Sequence, residues 1–175
     1  RLAVRLGAFA NWIDGLIDVV PLASAVDGVT TYRYRNVGRA RTAGGQLDVT
    51  WPLRSFARVE LGYAFLHTRA ATGAPLPSRP PHTLRASVRW LLPREIEVVV
   101  RLRVVASAWV DVDQHSPPFS ILDGRIEKRV DGTWTVHGGV LDALDVRPAP
   151  GRAGDQRPVD GRVFYLGVTA DLPGE

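Results

Sequence analysis

A period of two restricts this chain more than any other feature. Apolar residues alternate with polar, charged or small ones over runs long enough to be whole strands. The last run, Gly161–Leu172, puts Phe164, Leu166, Val168, Ala170 and Leu172 on one face and Val163, Tyr165, Gly167, Thr169 and Asp171 on the other. Ala57, Val59, Leu61, Tyr63 and Phe65 oppose Arg58, Glu60, Gly62 and Ala64 in the same way. Leu84, Ala86, Val88 and Trp90 oppose Arg85, Ser87 and Arg89. The longest oily face runs from Ile96 through Val98, Val100, Leu102, Val104 and Ala106 to Ala108, against Glu97, Arg101, Arg103 and Ser107. Such alternation makes strands with one apolar face. A chain ending in one must pair its edge, and barrel closure removes the edge completely.

The remaining runs are less regular. Leu2–Val20 alternates, with a helix as the competing reading over Leu16–Val20; Gly7, Gly15 and the β-branched content favour strand. From Thr30 to Leu53 a second extended piece contains Gly38 and Gly44-Gly45 as expected bulge or bend positions, and Pro52–Ser55 reads as a short turn. Ile121–Val130 and Trp134–Val140 flank Asp131-Gly132, a two-residue hairpin signal. This gives about eight strands joined by hairpins, with long connections at Pro21–Tyr32, Thr68–His82, Asp111–Pro118 and Asp142–Asp160 and short ones between.

Long loops gathered at one end, and strands of roughly ten residues, are what a transmembrane barrel requires and a soluble meander does not. In the membrane Arg58, Glu60, Arg85, Arg89, Arg101, Arg103, Asp123, Arg125 and Glu127 line a lumen, where mixed signs pair and stay hydrated. In a soluble barrel the same charges face water. Trp51, Trp90, Trp109 and Trp134 near strand ends resemble an interfacial girdle. No apolar stretch approaches the roughly 20 residues of a membrane helix, which does not exclude the membrane, because barrel strands need only about 9–11 residues each. Arg1–Arg5 is not a signal peptide, because arginine interrupts it.

Composition narrows the function classes. An apolar share of 45% over 175 residues argues against disorder and fits one domain or a segment of a larger one. The net charge of +4 is spread arginine rather than a basic run, and aromatics seldom accompany it, so no nucleic-acid partner is expected. Without cysteine there is neither a disulfide scaffold nor a thiolate metal site.

No catalytic, cofactor-binding or metal-ligating residues are assigned. His67, His82, His115 and His137 stand at no metal-ligand spacing, and Asp111-Val112-Asp113-Gln114-His115 reads as a hydrated loop before a divalent-ion site. Ser107, Ser116 and Ser120 lack a nucleophile elbow, and Gly151-Arg152-Ala153-Gly154 lacks a phosphate-loop setting. Asp123, Arg125 and Glu127 read as an internal ion-pair ladder rather than an acid–base pair.

Five segments carry a family likeness in order along the chain: Phe9–Ile17, Asn36–Ala40 with Thr42–Leu47, Pro77–His82, Val140–Asp145 and Gly161–Val168. Together they resemble the carboxy-terminal barrel region of a TonB-dependent outer-membrane receptor of the siderophore-receptor type. The resemblance implies an all-β antiparallel transmembrane barrel, or a barrel segment, in the outer membrane of a Gram-negative bacterium. Residues 1–175 are then a single barrel domain or part of a larger receptor barrel, with no plug domain and with the carboxy terminus periplasmic. It implies uptake of an iron chelate or similar scarce solute and no enzymatic activity. The implied partners are outer-membrane lipid, the barrel-assembly machinery, the rest of a barrel with its plug, and TonB through that plug. Leu172 stands where the family usually ends in an aromatic residue. A structural barrel module without transport and a soluble lipocalin-like binding barrel are the alternatives.

Overall fold

A computed structural model of the chain describes residues 1–21, 32–111, 114–148, 155–158 and 160–171. Among these residues the strands are β1 (Ala3–Pro21), β2 (Tyr32–Arg54), β3 (Ala57–Ala70), β4 (His82–Leu92), β5 (Ile96–Val105), β6 (Ala108–Asp111), β7 (Gln114–Ser116), β8 (Phe119–Arg129), β9 (Trp134–Leu141) and β10 (Val163–Ala170). Eight of them form one antiparallel sheet in the order β1-β2-β3-β4-β5-β8-β9-β10, and β6 pairs with β7 apart from it. The eight-stranded, hairpin-connected meander read from alternation is therefore present. The sheet does not close on itself: β1 and β10 are its two edges, without a partner among the described residues.

The backbone bears out strand over Leu16–Val20 and departs from expectation at Gly44-Gly45, at Pro52 and at the Asp131-Gly132 hairpin. Leu16 to Pro21 continues β1 as strand, because its pairing with β2 overrides any local helical preference. Gly15 and Gly38, both with positive φ near 70°, sit where the β1–β2 register slips, whereas Gly44 and Gly45 lie in unbroken ladder. Strand β2 runs on to Arg54 through a second irregularity at Pro52, which has no N–H to give the ladder, so the turn is only Ser55-Phe56. The Asp131-Gly132 hairpin is wider than two residues. Val130 donates to the Trp134 carbonyl at 2.9 Å, and the Asp131 carboxylate accepts the Thr133 and Trp134 amides at 2.7 and 2.8 Å. That Asx-type turn holds the Asp131 carboxyl below the usual carboxylate range, Thr133 first and Trp134 second.

Loop asymmetry is real. Short turns join β2–β3, β4–β5 and β8–β9, while the long connections all leave from the opposite end. The first of these, 22–31, lies outside the described residues. The longest oily face breaks after Val105: its last residue, Ala108, opens β6, and β7 lies in the segment Asp111–Pro118 expected as a polar loop. Leu76, Pro77, Val105, Ala108, Val110 and Phe119 are buried there. Ser78 donates to the Trp109 carbonyl at 2.7 Å, and Thr68 Oγ1 accepts the Leu76 amide at 3.0 Å. Hairpin strand β6 also touches β1, four strands along the sheet from β5, so the sheet curls toward the side the hairpin occupies.

The loop after β9 is pinned by carboxylates. Asp123 Oδ1 accepts the Asp142 amide at 2.9 Å, and Asp142 Oδ2 accepts the Val146 amide at 2.8 Å. Asp145 Oδ1 accepts the Arg162 amide at 2.9 Å and Arg147 Nη2 at 3.0 Å. The Arg162 amide, then the Arg147 guanidinium, holds the Asp145 carboxyl below its ordinary range.

Two outcomes are expected. Tyr165 lies across Gly139, where a Cβ would come 2.7 Å from the phenol oxygen and run into the Gly124 carbonyl. Gly139→Val is expected to cost about 1–3 kcal/mol by overpacking, read as a lower temperature of gel-mobility conversion; Gly132→Ala, with open space around it, leaves that temperature unchanged. For Asp145 the depressed pKa contributes loop docking above the unfolded value of about 3.9 and loses it as pH falls through the lower folded value. Asp145→Asn is expected to speed proteolysis of the β9–β10 loop at neutral pH, and the difference from wild type vanishes in acid below that value.

Candidate functional site

The register sorts every strand residue onto one of two faces. Across the sheet Leu6 meets Leu47, Leu47 meets Tyr63, Tyr63 meets Leu84 and Leu84 meets Val104. Farther on, Gly124 meets Val140 and Val140 meets Phe164. The apolar positions of all eight strands thus make one continuous face, and among the described residues no layer covers it. Leu6, Phe164 and Leu166 remain 78%, 75% and 81% exposed.

The other face is polar and lies on the inside of the curl. Arg5, Asp48, Gly62, Arg85 and Arg103 form one row across five strands. Thr50, Glu60, Ser87, Arg101 and Asp123 form the next. Thr68, Val105 and Phe119 belong to this face by register and are buried, so the loops fold over the polar side. A soluble lipocalin-like barrel would need the opposite arrangement, with the aliphatic side enclosed.

Most charges on the polar face are already answered. Arg58 pairs with Glu60 at 3.0 Å, Arg89 with Glu97 at 3.0 Å and Arg125 with Glu127 at 2.8 Å. The expected ladder along β8 is thus real at Arg125–Glu127, while Asp123 turns to the Asp142 amide instead. Asp48 accepts Gln46 Nε2 at 2.7 Å. Arg85, Arg101 and Arg103 are different: none has an ion pair or side-chain hydrogen bond among the described residues. Arg85 and Arg103 stand directly opposite one another. The three line a depression of about 480 Å³ with Asp48, Glu60 and Ser87. Like charges opposed on adjacent strands repel; Asp123, opposite Arg101, also lines the depression.

Aromatic residues mark heights on the apolar face. Trp51, Trp90 and Trp134 stand near the short-turn end in register with Val59, Val98 and Ala170. Trp109 lies in the β6–β7 hairpin instead and is no part of that belt. Trp12, which the end-of-strand reasoning missed, stands 71% exposed near the long-loop end, in register with Arg41. On β2 residues 41 and 51 are separated by about 33 Å at about 3.3 Å per residue, or about 25 Å with a tilt of about 40°. That is the height of an outer-membrane apolar band, about 25 Å.

The histidines are dispersed. His82 stacks on Tyr63, whose hydroxyl lies 2.7 Å from its Nδ1, and His67 is in register with Ala43 on the apolar face. His137 faces the polar side against Tyr165. Among the described residues no three metal-ligating side chains come together. Val112 and Asp113 of the considered Asp111–His115 segment lie outside the described residues, as does Leu172 at the chain's end.

No curated protein sequence matches the chain. Solved structures do, at TM-scores near 0.7. The copper transporter OprC matches with a TM-score of 0.72 and 18% identity, over 97% of this chain and 30% of its own. A mutant of the ferric enterobactin receptor PfeA from Pseudomonas aeruginosa, in complex with enterobactin, matches at 0.73 and 18%, over 97% and 29%. The siderophore receptor PiuA from Acinetobacter baumannii matches at 0.69 and 15%, over 97% and 26%. The chain therefore spans less than a third of the length of these structures. The family model described as TonB dependent receptor-like, beta-barrel, covers residues 1–142. With most of its length matched, and with a polar inner face backed by an uncovered apolar one, the chain belongs to the TonB-dependent receptor-like β-barrel family of the outer membrane.

Proposed function

We propose that this chain is a wall segment of an outer-membrane receptor barrel, and that its inner face receives an anionic metal chelate on the way in. The observation that carries the chelate is the group of unanswered arginines, Arg85, Arg101 and Arg103, on the concave polar face. Fixed positive charge in a partly enclosed cleft raises the local concentration of an anion. Matched structures named as ferric enterobactin, ferric-catecholate and siderophore receptors make a ferric chelate the solute class to test first.

The two open edges supply the rest of the reading. In lipid each unpaired backbone group costs several kcal/mol, so β1 and β10 require further strands beside them. Those strands complete a larger barrel, which encloses a plug and through it engages TonB. The barrel-assembly machinery inserts the whole, with lipid against Leu6, Phe164 and Leu166. Strand β10 runs from the long-loop end toward the short turns, where Asp171 donates to the Thr133 carbonyl at 2.8 Å. Long loops of such barrels are extracellular, so the carboxy terminus is periplasmic.

The receptor carrying Arg85→Gln, Arg101→Gln and Arg103→Gln together is expected to take up a ferric chelate about tenfold more slowly. Its amount and heat-modifiable mobility in the outer membrane stay as in wild type. Undiminished uptake by the folded triple variant would remove the arginines from the reading; protein that stays soluble without detergent would remove the membrane.

A further inference from the structure

The apolar face carries one cationic site that the reading above does not use. Trp12, Arg41 and Arg69 stand side by side in a single cross-strand row on β1, β2 and β3. Parity and register place them on the aliphatic side, one step beyond the row Ala10, Ala43 and His67. Together these six residues line a shallow depression of about 280 Å³. A second depression shares Trp12, Arg41 and Arg69 with the first and adds Arg39 and Asp14.

Two opposed arginines on an outward apolar surface are costly. Their Cβ atoms lie about 4.5–5.5 Å apart, and like charges at that spacing destabilise a sheet. Among the described residues neither has an ion pair, and Asp14 is not joined to them. Water would screen such a pair at a soluble protein's surface. Here the row sits at the upper limit of the apolar band, about 25 Å above the Trp51 level. At that height lipid headgroups replace bulk water. An anion inserted between the two guanidinium planes would turn repulsion into paired charge-assisted hydrogen bonds. Trp12 beside them supplies a flat apolar surface for the adjoining part of a lipid, at the level where indole rings prefer to lie.

We infer that Trp12, Arg41 and Arg69 form a binding site for the phosphate of an anionic lipid headgroup in the leaflet at the long-loop end. Arg41 and Arg69 hold the phosphate, His67 lines the base of the site and Trp12 flanks it. The site rests on the membrane reading above, yet it is separate from the inner-face arginines and from the solute. Its lipid seals β1 to β3 on the outer side, where β1 is also an open edge.

The test uses the receptor in a nonionic detergent doped with phosphatidic acid or, in a second arm, phosphatidylcholine, with retained lipid read by native mass spectrometry. Wild type is expected to keep phosphatidic acid about tenfold better than phosphatidylcholine, and Arg41→Gln/Arg69→Gln to lose that preference. Inorganic phosphate in excess competes only if the headgroup alone is recognised; failure to compete shows that Trp12 and the acyl region contribute, and both results keep a lipid phosphate in the site. Thermal stability gives an independent readout. Phosphatidic acid raises the wild-type conversion temperature and leaves the double variant unchanged, while without anionic lipid the double variant is at least as stable as wild type. Equal lipid retention by the two proteins, or a double variant destabilised without lipid, overturns the site. A receptor that inserts into detergent normally but shows either result refutes this inference alone; one that needs no detergent refutes the membrane reading beneath it.

Discussion

A sheet one layer thick has two faces, and each must meet a medium that suits it. That constraint organises this molecule. On one side aliphatic and aromatic residues run unbroken across eight strands, with Leu6, Phe164 and Leu166 almost fully uncovered. Burying one such side chain is worth about 1.5–3 kcal/mol. Leaving half a dozen in water therefore forgoes about as much free energy as an entire domain retains, about 5–15 kcal/mol. Among the described residues no second layer recovers it, and in the outer membrane where this family resides lipid does.

Once lipid is assigned to one side, the charges on the other acquire a meaning they lack individually. Arg58, Arg89 and Arg125 each lean on a carboxylate two residues away or across a strand, which neutralises the wall near the short turns. Toward the middle that compensation stops at Arg85, Arg101 and Arg103. The acidic residues of the same rows keep their charge beside them, because Asp48 bonds the neutral Gln46 amide and Asp123 a backbone amide of the β9–β10 loop.

Much of this was legible in the sequence because it depends on a period and not on particular contacts. Alternation in Ala57–Phe65 or Leu84–Trp90 fixes which residues share a face, and the Pro- and Gly-rich stretches Thr68–His82 and Asp142–Asp160 mark loops, though Pro52 and Gly44-Gly45 fall inside β2. Four kinds of feature stayed hidden. The β6–β7 hairpin is too short to leave a periodic signal, and Ala108, Trp109 and Val110 continue the oily run of β5. The Asp131 turn looks like a two-residue hairpin because Asp-Gly is the same dipeptide in both cases; the carboxylate reaching Thr133 and Trp134 decides between them. Which arginines find a carboxylate depends on neighbours brought together by register, as Arg89 and Glu97 are from adjacent strands. Trp12 was passed over because it lies inside its strand rather than at the end. The strand extends far past the level at which the apolar band stops.

The same division explains how a fold can persist at 15–18% identity to solved receptors while the solute remains open. An outward position asks only for an apolar side chain that tolerates an extended backbone, so Leu, Val, Ile, Ala and Phe exchange there at little cost. Closely approached positions are stricter, since Gly139 admits nothing larger beneath Tyr165, but few of them occur. Inward positions combine freedom of fold with consequence for function: replacing Arg101 leaves the ladder to Ser87 and Asp123 intact yet changes the potential of the whole depression. Sequence can therefore drift on both faces for different reasons. On the outer one drift is neutral because lipid reads only polarity; on the inner one each change alters the charge that the wall presents.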